Sequence, residues 1–179
     1  IPDLMDGLAA GDPVDMWSGN FYDGFTDLGA TAGLPGLELV RAYNSSELRA
    51  GVMGAGWTEP FGARAVDTPS FADVGLPDGR VVRFVRNAAG TGFLRPDEAQ
   101  AGLSRDADGS LRLTFNGGVV WEFDTAGRLE RTTDASGVSA TVNRDAAGRV
   151  TTVVSSAGGA SLTFSYTGAL LTGVAASDG

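Results

Sequence analysis

The chain contains no cysteine and no histidine. Those two absences remove whole classes of chemistry. Ser-His-Asp and Cys-His nucleophilic arrangements cannot be assembled, and neither thiolate nor imidazole is available for an ordinary zinc site. Without cysteine there is also no disulfide pattern to indicate a compartment. Positive charge is scarce: Lys plus Arg number 13 against 22 Asp plus Glu, a net charge of −9 with a pI near 4.3. Nucleic acid and anionic membranes attract clusters of Lys and Arg, so neither is an expected partner. No apolar run approaches a transmembrane span, and Ile1-Pro2-Asp3 lacks the basic start and long apolar core of a signal peptide. The chain begins without Met, which makes a processed or excised piece of something longer the expectation.

Glycine is abundant. There are 27 among 179 residues, beside 7 prolines and a hydrophobic share of 42%. That mixture fits many short strands joined by tight turns rather than disorder, and the length suits one unit with a real core. The glycines are also in phase. Asp-Thr-Ala-Gly-Arg-Leu begins at Asp124 and Asp-Ala-Ala-Gly-Arg-Val at Asp145, 21 residues later, while a second marker ends at Gly137, Gly158 and Gly179, again 21 apart. A fixed period of this size points to repeated supersecondary units that bury their faces by stacking on their neighbours.

Within a unit the grammar is strand, turn, strand. Leu111, Leu113 and Phe115 alternate with Arg112 and Thr114, Asn116-Gly117-Gly118 follows, and then Val119, Trp121 and Phe123 alternate with Val120 and Glu122. Asn-Gly is expected to supply the positive φ angles of a tight hairpin turn. Trp121 and Phe123 are predicted inside, with Arg112 and Glu122 towards water. Val138, Ala140, Val142 and then Leu162, Phe164, Tyr166 continue the alternation, with Gly127, Gly148 and Gly168 at turns. Predicted strands lie near Leu37–Tyr43, Arg80–Val85, Leu111–Phe115, Val119–Phe123 and Leu162–Tyr166, with a last one around Leu170 to Ala175.

The stretch Phe123 to Gly137, F-D-T-A-G-R-L-x-x-x-T-D-A-S-G, resembles the YD repeat of bacterial Rhs proteins. The third copy departs from the pattern, because Gly168-Ala169-Leu170 has lost the Arg. Three landmarks near the start are similar to the N-terminal region of the same family and come in family order. They are Gly11-Asp12-Pro13-Val14 with Gly19-Asn20-Phe21, then Leu37 to Ser45 with Arg41, Tyr43 and Asn44, then Gly54-Ala55-Gly56-Trp57. Many relatives carry a His soon after that Gly-Trp, where this chain has Glu59-Pro60. The resemblance implies an all-β fold of repetitive antiparallel hairpins forming part of a curved β-shell. It divides the chain into an N-terminal β region, 1–103, and a hairpin array, 104–179, continuous with it.

Trp57 is expected to be a core aromatic. Thr68-Pro69-Ser70 is the best linker candidate, and Asn87 to Gln100 the candidate mobile loop. Candidate sites are few. Asp106, Asp108, Gly109 and Ser110 begin like a calcium loop but lack its later ligands, so a hairpin turn is favoured. Asp12 with Asp15, and Asp97 with Glu98, are carboxylate pairs of the kind glycosidases use, although solvated surface acids are the default reading. Asn44-Ser45-Ser46 matches a glycosylation acceptor over three residues only.

No catalytic, cofactor or metal residue is therefore assigned, and no cofactor is expected. The resemblance implies a structural, non-catalytic part of a secreted or cell-surface shell that encloses or presents a C-terminal toxin domain. The alternatives are an adhesin or glycan-binding module acting through Trp17, Trp57 or Trp121, and a self-assembling filament. The expected partners are the remainder of the same shell, or further copies of the chain, on an exposed last strand carrying Leu170, Leu171 and Val174.

Overall fold

The computed structural model describes residues 21–29, 37–46, 50–77, 79–96 and 100–177. In chain order the first part forms β1 (Tyr22–Leu28), β2 (Leu39–Asn44), β3 (Ala50–Gly51), β4 (Gly54–Ala55) and β5 (Trp57–Thr58). A single 3-10 turn, Pro60–Gly62, follows, and then β6 (Arg64–Asp67), β7 (Phe71–Gly75) and β8 (Val81–Val85). The second part forms β9 (Ala101–Arg105), β10 (Leu111–Phe115), β11 (Val120–Phe123), β12 (Leu129–Thr133), β13 (Ser139–Arg144), β14 (Val150–Ser155), β15 (Ser161–Thr167) and β16 (Leu170–Ser177). The fold is all β and antiparallel, as the alternation predicts. The predicted strands appear with ends shifted by one or two residues; the last runs to Ser177.

Strands β9 to β16 make one eight-stranded meander in sequence order. The N-terminal strands form smaller sheets, ordered β1-β2-β5, β3-β4 and β6-β7-β8. One hydrophobic core joins them: Leu39, Phe61, Val74 and Phe84 from the N-terminal layer share it with Leu113, Trp121, Phe123, Leu129, Val153 and Leu162 of the long sheet. Trp121 and Phe123 are each 1% exposed, the position their alternation predicts. On the opposite face Arg112 and Glu122 pair across the ladder at 2.9 Å. The 103/104 division falls inside β9, the edge strand that pairs with β10.

The 21-residue period has a structural cause that alternation alone does not reveal. The register slips by one residue between Glu122 and Phe123, between Asn143 and Arg144, and between Ser165 and Tyr166. Each slip leaves one extra residue on the facing strand, namely Glu130, Thr151 and Thr172, spaced 21 apart. A bulge shifts which residues face inward. Leu129 and Thr132, Val150 and Val153, and Leu171 and Val174 therefore point to the same side at a spacing of three rather than two. The third unit keeps its bulge in phase although its Arg is gone.

Several expectations change. In the turn after Phe115 only Gly118 takes a positive φ, 83°, so it rather than Asn116-Gly117 supplies the left-handed residue. Thr68-Pro69-Ser70 is a closed hairpin turn and no linker: Thr68 N–H donates to Phe71 O at 2.8 Å, and Phe71 N–H donates to Thr68 Oγ1 at 3.1 Å. Behind it Asp67 accepts from Arg86 at 2.6 Å and pairs with Arg105, tying β6 to β8 and β9. Residues 87–94 are likewise held, by Asn87 N–H to Gly92 O and Leu94 N–H to Val85 O. Leu171 and Val174 pack against the core rather than standing free, and Leu171 N–H donates to Val52 O at 2.7 Å, so the β3–β4 tip covers one rung of the last strand. Leu170 is exposed.

Candidate functional site

The repeated Asp-x-x-Gly-Arg turn is the best-defined polar arrangement in the molecule. Asp124 Oδ1 accepts from the N–H groups of Ala126 and Arg128, and its Oδ2 accepts from Arg128 Nε at 2.8 Å. Asp145 repeats this geometry on Ala147 and Arg149. A carboxylate in this place satisfies two otherwise unpaired turn amides and fixes the guanidinium. At Asp145 the Arg149 amide and guanidinium hold the carboxyl below its ordinary range. At Asp124 burial pushes the value up, but the Arg128 and Ala126 donors outweigh it and the net shift is downward.

What the turns touch differs. Ala65 N–H donates to Gly127 O at 2.8 Å, Leu129 N–H donates to Ala63 O at 3.3 Å, and Arg64 bridges Arg128, so β6 is seated on the first turn. A Cβ added to Gly127 would stand 1.9 Å from Ala65 O, and its φ is 73°. Glycine is required there twice over. The carbonyls of the later turn glycines are taken by guanidiniums instead: Arg149 Nη1 donates to Gly168 O at 2.7 Å and Arg144 Nη1 to Gly148 O at 3.4 Å. Each Arg thus grips within or across units, and the grip ends at the unit whose Arg is replaced by Ala169.

Beside this seam lies Glu59, 6% exposed, the one charged side chain that is buried among the described residues. It caps the 3-10 turn: its Oε2 accepts from Phe61 N–H at 2.7 Å, and Gly62 leaves room for it, since a Cβ there would lie 2.6 Å from Oε1. Arg144 grips the other end of the same residue, donating from Nη2 to Phe61 O at 2.8 Å and to Leu129 O at 3.0 Å. Phe61 meets Phe164 edge-on, with ring centroids 5.9 Å apart. Burial pushes the Glu59 carboxyl up to about 7 despite the Phe61 amide and Arg144. Glu59 stands out in the sequence only as a departure from the family pattern, and Arg144 is not singled out at all. Arg144 was legible, because it continues the inward series Ala140, Val142 by one more step of two.

The carboxylate pairs Asp12 with Asp15 and Asp97 with Glu98, together with Trp17, lie outside the described residues. Asp108 Oδ1 accepts from both Ser110 N–H and Ser110 Oγ, a satisfied hairpin turn. Asn44 Oδ1 accepts from Ser46 N–H, again a turn. Trp57 is not a core residue: it is half-buried, with Tyr43 at 5.2 Å and Phe25 at 5.6 Å, under the guanidinium of Arg41. Ala42 faces inward in its place, because β2 buries Leu39 and Ala42 across the irregular pairing with β1. Trp121 is too deeply buried to touch a ligand.

Residues 11–84 match the family described as a domain of unknown function, DUF6531, and residues 123–160 match the RHS repeat. Together the two matches support an Rhs/YD-repeat family protein. The RHS repeat match begins at Phe123 and takes in the turns of Asp124 and Asp145, the geometry described above. No curated protein matches the chain. The RHS repeat supports a structural role, and the Asp-x-x-Gly-Arg turns here have the matching form: one oxygen of each Asp holds two backbone amides and the other holds the Arg.

Proposed function

We propose that this chain is the N-terminal region and first repeats of a secreted or cell-surface Rhs shell, non-catalytic itself, that encloses or presents a C-terminal toxin domain. The observation that carries this reading is the meander from β9 to β16, whose bulges keep the 21-residue phase and whose N-terminal layer seats on its first turn. A sheet of that kind grows by adding units, and β16 is the edge at which the next unit pairs. Its residues Leu170–Ser177 contain no charge and no proline to discourage pairing. In this isolated chain the same edge takes a second copy. Light scattering over a concentration series tests the edge: association that Ala175→Lys suppresses is expected, and a chain that stays monomeric with β16 protected from hydrogen exchange contradicts it. Reading the coding sequence downstream tests the shell, where further repeats and a terminal domain are expected and a wall anchor contradicts it.

A second reading draws on one specific surface. Phe21 and Phe25, 37% and 41% exposed, line up with Tyr43 and Trp57 on the outside of the β1-β2-β5 sheet. Exposed aromatic faces beside Arg41 and Asp27 suit stacking with sugar rings. Calorimetric titration with neutral oligosaccharides, beside Trp57→Ala, distinguishes it: heat lost in the variant supports a glycan module, and no heat in either removes it.

A further inference from the structure

We propose that the cluster of Glu59 and Arg144 is a proton-operated latch between the N-terminal layer and the repeat sheet, closed in acid and weakened as the pH rises past neutrality. The geometry places it at the joint. Glu59 holds the amide of Phe61, Arg144 of β13 holds the carbonyl of Phe61, and the same guanidinium reaches Leu129 O beside the seat of β6. One residue of the N-terminal layer is therefore held at both its N–H and its C=O, two residues before Ala63 and four before Ala65, whose backbone groups bond the first repeat turn.

Protonation changes this clasp because the carboxyl has nowhere else to go. It is enclosed by the 3-10 turn, with Gly62 against it and almost no exposure. The groups acting on it and its partner are known from each neighbouring element. Arg144 of β13 acts on Glu59 directly; Arg64 of β6 and Asp124 and Arg128 of the first turn act on Arg144. From β15, Tyr166 feels Glu59, Arg144, Arg149 and Asp145, while its hydroxyl donates to Val150 O. Burial dominates for both partners, raising the acid and lowering the base. The two do not form a direct ion pair, and the neutral acid is the form the pocket holds best.

The direction follows from linkage. A carboxyl at about 7 in the folded state, against an ordinary 4.5, binds its proton more tightly when folded. Its contribution is therefore full below pH 4.5, falls as the pH rises through neutrality, and is gone above it. That difference corresponds to a change of about 10²-fold in the closed-to-open ratio of the joint.

The test is amide hydrogen exchange on the full chain at pH 5 and pH 8.5, with the protection of Ala65 and Leu129 divided by that of amides in the β15–β16 hairpin. In the wild type this ratio should fall by about 10- to 100-fold at the higher pH. In Glu59→Gln it should stay level. A level ratio in the wild type, or an equal fall in the variant, overturns the latch. Should Glu59→Gln fail to fold, carbon-13 titration of the Glu59 carboxyl in the wild type decides instead: a midpoint near neutrality supports the proposal, and one in the ordinary carboxylate range overturns it.

Discussion

In the repeat sheet every strand from β9 to β16 pairs with its neighbour in sequence, whereas in the N-terminal layer β5 reaches past β3 and β4 to pair with β2, and Ala63 and Ala65 pair with a turn in the other layer. The sheet obtains its backbone partners locally; each unit repeats a bulge, and the first two repeat an Asp-x-x-Gly-Arg turn. The N-terminal layer depends on distant contacts: the Ala63 and Ala65 backbone bonds fall on the first turn, while Val52 O takes one from Leu171 and Phe61 O one from Arg144. The turns at Gly127 and Gly148 are alike in sequence and backbone, yet of the two only the first takes backbone bonds from the other layer among the described residues. A repeat can thus keep one motif for its own geometry and use a single copy of it as a docking seat.

The largest effect should come from the core that both layers share. Trp121→Ala removes the largest fully buried side chain and should cost about 3–5 kcal/mol by urea unfolding. Trp121→Phe should cost clearly less, because it also removes the buried Nε1 that has no hydrogen-bond partner among the described residues. Next comes Gly127→Ala, which should cost about 3 kcal/mol. A left-handed backbone charges Ala about 1–2 kcal/mol, and the clash with Ala65 O breaks the Ala65 and Leu129 hydrogen bonds, worth about 0.5–1.5 kcal/mol each.

Gly148→Ala bears only the backbone penalty, about 1–2 kcal/mol, since the nearest atom to its added Cβ is Arg128 Nη1 at 3.7 Å. Equal midpoints for the Gly127 and Gly148 variants would erase the distinction between seat and plain turn. The smallest effect should be Arg149→Met, which removes the grip on Gly168 O from a guanidinium more than a third exposed. About 0.5 kcal/mol is expected after allowance for solvent. A loss several times larger would mean that turn-to-turn contacts, rather than strand pairing, hold the array.

Much of the repeat sheet was readable because its signals are local. Leu111, Leu113, Trp121 and Phe123 alternate at the strand period, and Gly127 and Gly148 mark turns at one spacing, so burial and topology followed. The bulges at Glu130, Thr151 and Thr172 were hidden, since alternation assumes an unbroken ladder, although the inward pairs Leu129 and Thr132, Val150 and Val153, Leu171 and Val174 carry them in phase. The N-terminal layer was read less well for the same physical reason. Trp57 has the composition of a core residue, and only the pairing of β2 with β1 turns its face outward. Thr68-Pro69-Ser70 has the composition of a linker, and only Phe71 and Arg86 close it. Glu59 was not legible as a site because Arg144 and Phe164, which meet the Phe61 it caps, lie far along the chain.

The account rests on the claim that the first repeat turn is the seat of the N-terminal layer, and hydrogen exchange at the Ala65 amide tests that claim most directly. Measured in the wild type, Gly127→Ala and Gly148→Ala under one condition, Ala65 should be protected in the wild type and in Gly148→Ala and should lose that protection in Gly127→Ala, with the amides of β15 unchanged throughout. Protection of Ala65 that survives Gly127→Ala, or that is lost equally in both variants, would contradict it.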